Sequence, residues 1–351
     1  FFAAVAVRDR PHLKGKPVVV CWSTNDPRGR EPSSSEISSA TYEARKFGIR
    51  AGMRLGKARE LCPSVIAAPY EFHKYTKAAE DLYSCVFSLT PHVQGVSCDE
   101  CYLDVSNLIM DLDDETNADT RVDSLAENLR KNIHSKTGCT ASVGCGHNRL
   151  MARIATKRAK PNGYFRISPN KAEPFLAPLP VSELPGVGYR TSKKLKGLGV
   201  ITCSDITKKS MSHWQSILGK KLGQAIHEHA KGIDLRIWDA RPLRKSVGAQ
   251  LSWGVRFEEG EEVLVFLRKL SNEVSTRMKR YGVRGRNVSL KLWRAVKNAP
   301  NNMRKGFVGH GVCDILNRSL ALPDFTHDPN LIAQKVLSMW EGLRVHAKEV
   351  R

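Results

Sequence analysis

The sequence predicts an α+β protein of several domains, and three observations support this fold class. The chain has 351 residues, whereas one domain takes up roughly 150 residues. Hydrophobic residues make up 41% of it, which is enough for packed cores and excludes a disordered or collagen-like chain. Between residues 92 and 160 the sequence indicates a β-hairpin, a helix, a strand and a helix. This order is typical of an antiparallel or mixed sheet backed by helices.

The N-terminal part is predicted to contain one strand, one loop and three helices. The β-branched run Lys16–Cys21 follows a Gly-Lys turn and predicts a buried strand. Residues 23–35 are polar and rich in turn residues, which indicates a loop. Ser38 or Ser39 can cap a helix that ends at Gly48. Two further helices are predicted over Leu55–Leu61 and Phe72–Leu89.

The middle of the chain is predicted to carry the hairpin and its covering helices. Residues 92–105 form two β segments that are interrupted by the acidic pair Asp99 and Glu100. Helices are predicted over 122–135 and 150–160, with a strand over 139–145 between them.

The C-terminal half divides into a helical region and a second α+β region. Beyond prolines 174, 178 and 180, short lysine-rich helices punctuated by glycine extend to about Gly232. A charged connector over 239–245 follows. The last region is predicted to have strands over Val247–Phe257, Val288–Trp293 and Gly306–Val312, and helices over Val263–Tyr281 and Asn330–Gly342.

The charge of the chain indicates a polyanionic partner. Lys and Arg number 56 and Asp and Glu 35, so the net charge is +21 at pH 7. Such a surplus more often reflects nucleic-acid binding than solubility alone. The mean hydropathy is −0.36, and no stretch approaches the roughly 18–20 apolar residues that a membrane helix needs. We therefore expect a nucleic-acid partner and no membrane association.

The nine cysteines do not predict a metal site or a disulfide framework. Cys98 and Cys101 form the single CxxC pair, with no second pair at zinc-finger distance. His227, Glu228 and His229 lack the HExxH spacing of zinc hydrolases, and we expect a surface helix there. Reduced thiols in a cytosolic or nuclear protein are the better interpretation.

The acidic pair Asp99-Glu100 is a candidate metal site. Neighbouring side chains of a regular strand point to opposite faces, so the two carboxylates converge only if the pair lies in a tight turn. Two such carboxylates in a basic protein provide oxygen ligands suited to Mg²⁺, and paired divalent ions promote phosphoryl transfer. The alternative is a solvated surface pair. Asp104 is expected to be structural.

A second candidate site is cationic. Tyr42 and Arg45 are three residues apart and therefore share a helix face. Lys160 ends a predicted helix. The planar guanidinium of Arg45 and the point charge of Lys160 could grip a triphosphate. The alternative is a solvated helix face.

A third candidate site is the segment Leu184–Gly188, which precedes a lysine-rich helix over 189–198. Its Pro-Gly-Val-Gly sequence is a helix–hairpin–helix signature, in which Gly186 and Gly188 let backbone amides approach a phosphate. Such contacts hold a duplex without reading its sequence. An ordinary turn is the alternative, but Lys193 and its lysine neighbours favour DNA.

Taken in order, these motifs resemble those of the Y-family translesion DNA polymerases. The matching segments cover nearly the whole chain: Phe1–Val5, Leu13–Val18, Tyr42–Arg45, Ser97–Glu100, Ala159–Gly163, Leu184–Gly188 and Lys245–Gly248. Within the family the sequence looks most like the deoxycytidyl transferase branch. The evidence for that branch is the cysteine before Asp99, the segment Trp253–Phe257 and the segment Gly309–Asp314.

The resemblance implies a right-hand polymerase with palm, fingers, helix–hairpin–helix thumb and α+β little finger. The palm would comprise 1–20 and 70–165, the fingers 21–69 and the thumb 166–238. Residues 239–245 would be a linker, and 246–351 would form a little finger whose last strand is missing.

The resemblance also implies roles for individual residues at the catalytic site. Asp99 and Glu100 would be catalytic ligands of two Mg²⁺ ions. Phe2 would be a steric gate whose ring fills the volume that a ribose 2′-OH would need. The implied nucleotide-binding residues are Phe1, Phe2, Ser39, Tyr42, Arg45 and Lys160.

Further implied residues contact DNA. They are Gly186, Gly188, Lys193, Lys245, Arg286, Lys291, His310 and Gly311. The loop Gly309-His310-Gly311 corresponds to the stretch that holds an extruded template guanine in this branch, where the incoming dCTP pairs with a protein arginine. Pairing of one cytosine edge with an arginine explains the selectivity, because other bases leave the donors unpaired.

The sequence departs from the family pattern at both ends. The first catalytic aspartate of the family and the dCTP-pairing arginine lie upstream of the position of Phe1. Arg351 comes before the position of the last strand of the little finger. We therefore expect a fragment that binds DNA and turns over poorly.

The implied function is insertion of dCMP from dCTP opposite guanine, abasic or damaged template during DNA repair in the nucleus. The implied partners are primer-template DNA, dCTP and, through regions outside this chain, other translesion polymerases. Two alternatives remain open at this point. One is another Y-family branch with ordinary template pairing, and the other is a non-catalytic scaffold that binds damaged DNA.

Overall fold

The computed structural model describes residues 1–22, 35–110, 118–252, 254–298 and 310–351. The chain forms two compact units, Phe1–Arg241 and Pro242–Arg351, and the division falls within the charged segment 239–245. The loop expected over 23–35 lies outside the described residues except for Ser35. No helix within these ranges is long and apolar enough to cross a membrane.

The N-terminal unit begins with a small three-stranded sheet and its helices. Its elements are α1 (Phe2–Arg8), β1 (Val18–Val20), β2 (Ser39–Ala40), α2 (Tyr42–Lys46), α3 (Leu55–Leu61) and β3 (Ile66–Ala68). The central strand β1 pairs antiparallel with β2 and parallel with β3. Val19 lies in a buried cluster with Ile37, Ala44 and Leu55, so β1 is the buried strand that its β-branched residues predict.

The cap of α2 differs from the expectation. Thr41 caps the helix, because its Oγ1 accepts a hydrogen bond from the Ala44 amide at 3.3 Å. Ser39 pairs with Val20 in the strand ladder, so its backbone is extended and cannot start a helix. The prediction that Ser38 or Ser39 caps α2 is therefore wrong by two to three positions.

The next part of the unit contains the predicted hairpin. Its elements are α4 (Phe72–Leu89), β4 (Val93–Gly95), β5 (Cys101–Leu103), α5 (Asn107–Met110), α6 (Ala118–Thr137), β6 (Val143–Gly146), α7 (Arg149–Ala159) and β7 (Tyr164–Ile167). Strands β4 and β5 are antiparallel with Gly95 opposite Cys101, whereas β6 and β7 are parallel. Val86, Val93 and Leu129 join α4, β4 and α6 in one buried cluster. The two pairs form separate two-stranded sheets, one antiparallel and one parallel, whereas the sequence predicted a single antiparallel or mixed sheet.

The N-terminal unit ends in short helices. They are α8 (Ala172–Leu176), α9 (Tyr189–Gly197), α10 (Cys203–Thr207), α11 (Met211–Leu218) and α12 (Lys220–Ala230). Trp214 is buried at their centre, and its Nε1 donates to the Ile206 carbonyl at 2.8 Å. His227 is also buried, at 9% exposure, which contradicts the expected surface position. The reason is that α12 turns His227 inward together with Ile226 and Ala230.

Asp234 fixes the segment after α12 to the start of α7. Its carboxylate, only 1% exposed, accepts from the Leu150 amide at 3.1 Å and pairs with Arg236 at 2.6 Å. An acceptor at this place satisfies an amide that the first turn of a helix leaves unpaired. Arg149 adds a bond from Nη2 to the Arg236 carbonyl at 2.7 Å and one from Nη1 to Gln94 Oε1 of β4 at 2.7 Å.

We expect Asp234→Asn to destabilise the chain by about 2 kcal/mol at neutral pH, because it weakens a helix cap and removes the charge of a buried carboxylate that pairs with the half-exposed Arg236. Burial raises the pKa of Asp234, but the hydrogen bonds and charge of Arg236 outweigh it and hold the pKa below its usual range. The stabilisation of the fold by Asp234 is therefore fully present above about pH 3.9, the pKa of an aspartate in the unfolded chain. It is lost as the pH falls through the lower pKa that Asp234 has in the folded chain.

Urea unfolding of the wild type and Asp234→Asn between pH 3 and 7 measures this effect. Asp239→Asn is the matched control, since Asp239 is exposed and accepts one bond from the Arg241 amide at 3.1 Å. If the two variants were equally stable at pH 7, the stabilising role assigned to Asp234 would be wrong.

The C-terminal unit is a hairpin covered by two helices. Its elements are α13 (Gly260–Arg280), β8 (Gly285–Ala295), β9 (Cys313–Thr326) and α14 (Pro329–Leu343). The strands are antiparallel, with Leu292 opposite Leu316. Leu267, Leu290 and Trp340 belong to the buried cluster between the strands and the helices.

Two strand predictions for this unit need correction, and one strand was missed. Residues 247–252 and 254–257 are not a strand, because Gly254 has φ +70° and no ladder bonds form, although Val247 and Phe257 still pack on the core. Residues 306–309 of the expected strand Gly306–Val312 lie outside the described residues, and 310–312 are not a strand. Strand β9 was not predicted. Most of its side chains are exposed and it contains Pro323, so the alternation of a half-buried strand is weak.

Candidate active site

The acidic pair lies in the tight turn that the hairpin predicts. The amides of Val96 and Ser97 both donate to the Glu100 carbonyl, at 2.9 and 3.0 Å, which closes the turn between β4 and β5. The hydroxyl of Tyr83 shares its single proton between the Ser97 carbonyl at 2.7 Å and the Glu100 carbonyl at 3.2 Å. Helix α4 therefore fixes the turn from outside. Sequence reasoning missed Tyr83, and no local pattern indicates a contact across 14 residues.

Both carboxylates of the pair remain accessible. Asp99 and Glu100 are exposed, and Asp99 Oδ1 accepts from Ser97 Oγ at 2.6 Å. The thiol of Cys98 is also exposed and lies 3.9 Å from the same oxygen. Local desolvation and, next, the Asp99 carboxylate raise the pKa of this thiol.

One of the predicted cations approaches the acidic turn. Lys160 follows the last residue of α7, and its Nζ lies 3.7 Å from Glu100 Oε1. The structure thus brings together two separate parts of the sequence, the end of α7 and the turn between β4 and β5.

Three further predicted nucleotide-binding residues lie on β2 and α2. Arg45 lies over the Tyr42 ring, 5.3 Å from its centroid, and its Nε donates to the Ala40 carbonyl at 3.0 Å. The two residues therefore share a face of α2, as their spacing predicts. Ser39 is buried, and its Oγ accepts from the Ala3 amide at 3.3 Å, which ties β2 to α1.

Phe2 lies at the edge of an apolar groove beside the acidic turn. Its ring stacks on Tyr75 with centroids 4.2 Å apart and meets Tyr70 edge-on at 6.2 Å. The open groove has a volume of about 520 Å³ and reaches from Phe2 to Cys98. A ring held between two others has little freedom to move aside, as a steric gate requires.

The glycine hairpin before α9 has the expected geometry. Gly186 has φ +93°, a conformation that favours glycine, and Gly188 is the N-cap residue of α9. His229 Nδ1 lies 3.2 Å from the Pro185 carbonyl and joins the hairpin to α12. Burial lowers the pKa of His229, so the neutral ring donates this bond. Lys193 is exposed on α9.

The predicted DNA contacts of the C-terminal unit fall on different parts of it. Lys291 lies over Trp293 of β8 at 5.6 Å from the ring centroid, and the His310 ring meets Trp293 edge-on at 4.6 Å. Arg286 lies 5.6 Å from the Phe325 ring centroid on β9. Lys245 is exposed and Gly311 has φ +77°. Trp253 and Gly309 lie outside the described residues.

The donor set of the acidic turn suits a hard divalent cation. Mg²⁺ is typically held by one or two carboxylates together with water and substrate phosphates. Across the described ranges, no group of three or more His, Cys, Asp or Glu side chains is placed to hold a metal. Asp99 and Glu100 provide the two carboxylates for a cation of this kind.

Comparison with known proteins identifies the family. Residues 1–157 match the impB/mucB/samB family, 182–234 match the DNA polymerase-iota thumb domain, and 244–351 match the C-terminal domain of the impB/mucB/samB family. DNA polymerase IV of Alkalilimnicola ehrlichii is 35% identical over 292 residues, which cover 83% of this chain and 78% of that protein. The chain belongs to the Y-family DNA polymerases.

Other Y-family relatives match the chain from end to end. DNA repair protein REV1 of Arabidopsis thaliana is 38% identical over 355 residues, which cover 100% of this chain and 31% of that protein. DNA repair protein Rev1 of Drosophila melanogaster is 35% identical over 392 residues, with 100% and 39% covered. The chain thus spans about a third of the length of these relatives.

Solved structures of Y-family polymerases confirm the predicted fold class. A Y-family DNA polymerase chimera of Dbh and Dpo4 superposes with a TM-score of 0.76 at 25% identity, covering 100% of this chain and 94% of that one. A Dbh ternary complex gives 0.62 at 24% identity, covering 98% and 91%, and shows the fold alone. The fold is the mixed α+β Y-family polymerase fold with thumb and little-finger domains, in a family that uses divalent metal ions.

Proposed function

We propose that the chain carries the polymerase core of a REV1-like translesion nucleotidyltransferase. It would insert dCMP from dCTP opposite guanine, abasic or damaged template. The observation that supports this proposal is the tight turn that carries Asp99 and Glu100, with Lys160 Nζ 3.7 Å from Glu100 and with Phe2 on the groove that reaches the turn at Cys98. Phosphoryl transfer requires mainly positioning and charge stabilisation, and this arrangement offers both.

In this proposal the acidic turn holds the metal ions. Asp99 and Glu100 would bind two Mg²⁺ ions, which when bound activate the attacking oxygen and stabilise the leaving group. Tyr83 keeps the turn in place through its two bonds to backbone carbonyls. The carboxylates are therefore positioned before a nucleotide arrives.

The cationic residues would hold the triphosphate. Lys160 approaches the acidic turn from the end of α7, and the Arg45 guanidinium lies over the Tyr42 ring on α2. Ser39 and the amides of Phe1 and Phe2 would complete the site. The Phe2 ring would exclude a ribose 2′-OH, because its stacking on Tyr75 leaves it little freedom to move aside.

DNA would be held through its phosphates, without sequence recognition. Gly186, Gly188 and Lys193 of the hairpin and α9 present backbone amides and positive charge. The C-terminal unit would contact the phosphates of the primer and template strands through Lys245, Arg286 and Lys291. The loop at His310 and Gly311 would receive the extruded template base.

The domain boundaries remain part of the proposal. The palm would comprise 1–20 and 70–165, the fingers 21–69, the thumb 166–238 and the little finger 246–351, with 239–245 as linker. A nuclear location, and contacts with other translesion polymerases through regions outside this chain, are proposed on the same basis.

Single-nucleotide insertion tests the proposed reaction. The protein at its native length is given Mg²⁺, primer-templates with each of the four bases or an abasic site, and one dNTP at a time. We expect dCMP to be favoured on every template, by roughly 100-fold or more over bases that leave an arginine fork unpaired. CTP included beside dCTP probes the gate at Phe2.

The alternatives give different outcomes in the same assay. Insertion that follows the template base would assign the chain to a branch with ordinary pairing. Binding of the primer-template without any insertion would instead favour a DNA-binding scaffold. Either result would contradict the proposed dCMP transfer.

A further inference from the structure

Arg130 has an arrangement of hydrogen bonds that the proposed reaction does not explain. It lies on α6, and its side chain is 16% exposed. Nη2 donates to the carbonyl of Asn162 at 2.7 Å and to its side-chain Oδ1 at 2.9 Å. Nε donates to the Ala141 carbonyl at 3.1 Å, just before β6, and Nη1 pairs with Glu127 at 2.6 Å. One side chain thus joins α6, the approach to β6 and the turn after α7.

The turn that Arg130 holds is the one that carries Lys160. It covers residues 160–163 between the end of α7 and the start of β7. Asn162 has φ +44°, a conformation that non-glycine residues seldom adopt. A conformation of this kind persists where its surroundings fix it, and the two bonds from Arg130 to Asn162 do so here.

We propose that Arg130 is the positioning residue for Lys160. By fixing Asn162, it holds the turn so that the Lys160 ammonium lies beside Glu100, at 3.7 Å. Arg130 acts through the turn and does not contact the nucleotide. This inference rests on the proposed function, in which Lys160 binds the triphosphate.

The chemistry of the guanidinium suits this task. Its donors lie in one rigid plane and meet acceptors on three segments at once, whereas a lysine ammonium is a point charge on a flexible stem. Arg130→Lys retains the charge but cannot retain all four bonds. The variant therefore separates position from charge.

Steady-state insertion by the protein at its native length tests the proposal. We expect Arg130→Lys to raise the KM for the incoming dNTP roughly tenfold. The reason is that a displacement of the Lys160 ammonium by about 1 Å would weaken its contact with the triphosphate. Affinity for primer-template should stay within about twofold, since DNA contacts lie elsewhere.

Arg166→Lys is the matched control for lost stability. Arg166 lies on β7, is 24% exposed and pairs with Asp119 and with Asp123, the latter at 3.0 Å. It does not belong to the 160–163 turn. Arg166→Lys should lower the melting temperature as Arg130→Lys does, while leaving the KM for dNTP unchanged. Equal KM values for the two variants would overturn the proposal.

A double-mutant cycle separates this inference from the function on which it rests. If Lys160→Ala leaves the KM for dNTP unchanged, the proposed triphosphate role of Lys160 is wrong. If Lys160→Ala raises the KM, Arg130→Lys should add little further effect in that background, because both variants disturb one contact. Full additivity of the two effects would show that Arg130 does not act through Lys160.

Discussion

Replacing Asp99 with Asn, or Glu100 with Gln, is expected to abolish nucleotide insertion by the protein at its native length. Both substitutions preserve side-chain size and remove the negative charge that a divalent cation requires. Because phosphoryl transfer depends on charge stabilisation at the metal, the rate should fall by roughly a thousandfold or more. Single-turnover incorporation with Mg²⁺ measures the loss directly.

Primer-template affinity should stay largely unchanged in these variants, because basic residues elsewhere on the chain hold the DNA phosphates in this proposal. Asp104→Asn is the matched control. Asp104 follows β5, and its Oδ1 accepts from the Ser106 amide at 3.0 Å, which gives it a local structural role. An Asp99→Asn enzyme as active as Asp104→Asn would contradict the metal assignment.

Gly144→Ala is expected to be the most destabilising small substitution in the N-terminal unit. Strand β6 lies so close to α7 that a Cβ at position 144 would meet the backbone of Ala152, Ala155 and Thr156, which cannot shift independently. We expect a loss of roughly 3 kcal/mol or more, because overpacking against backbone allows no side-chain relief. Denaturant unfolding of the chain measures it.

A glycine in an open position provides the control for this variant. Gly197 is the last residue of α9, and a Cβ there would have no atom within 4 Å. Gly197→Ala should leave stability unchanged or raise it by up to about 1 kcal/mol through helix propensity. If Gly144→Ala unfolds at the same denaturant concentration as Gly197→Ala, the close packing of β6 on α7 is not a constraint.

Local patterns predicted the elements that position the site. The helices Leu55–Leu61 and Phe72–Leu89 have the expected bounds, because apolar periodicity and flanking prolines or polar residues mark both ends. The hairpin with Asp99 and Glu100 in its turn is confirmed for a similar reason, since two short apolar arms flank an acidic interruption. These features depend on neighbours within a few residues.

The contacts that fix the site could not be predicted in this way. Tyr83, Arg130 and His229 each reach a backbone carbonyl that is 14 to 44 residues away. No periodicity in the sequence indicates such a pair, because only the packing of whole elements brings the two groups together. The sequence did not indicate strand β9, because most of its side chains are exposed and leave no clear alternation of buried and exposed residues. The strand forms through its backbone pairing with β8.

The thiol beside the acidic turn has a consequence for how the protein tolerates oxidants. Cysteine reacts with peroxides and electrophiles as the thiolate, and local desolvation together with the Asp99 carboxylate raises the pKa of the Cys98 thiol and disfavours that form. The exposed cysteine of the acidic turn therefore forms less of the reactive thiolate than a free cysteine does.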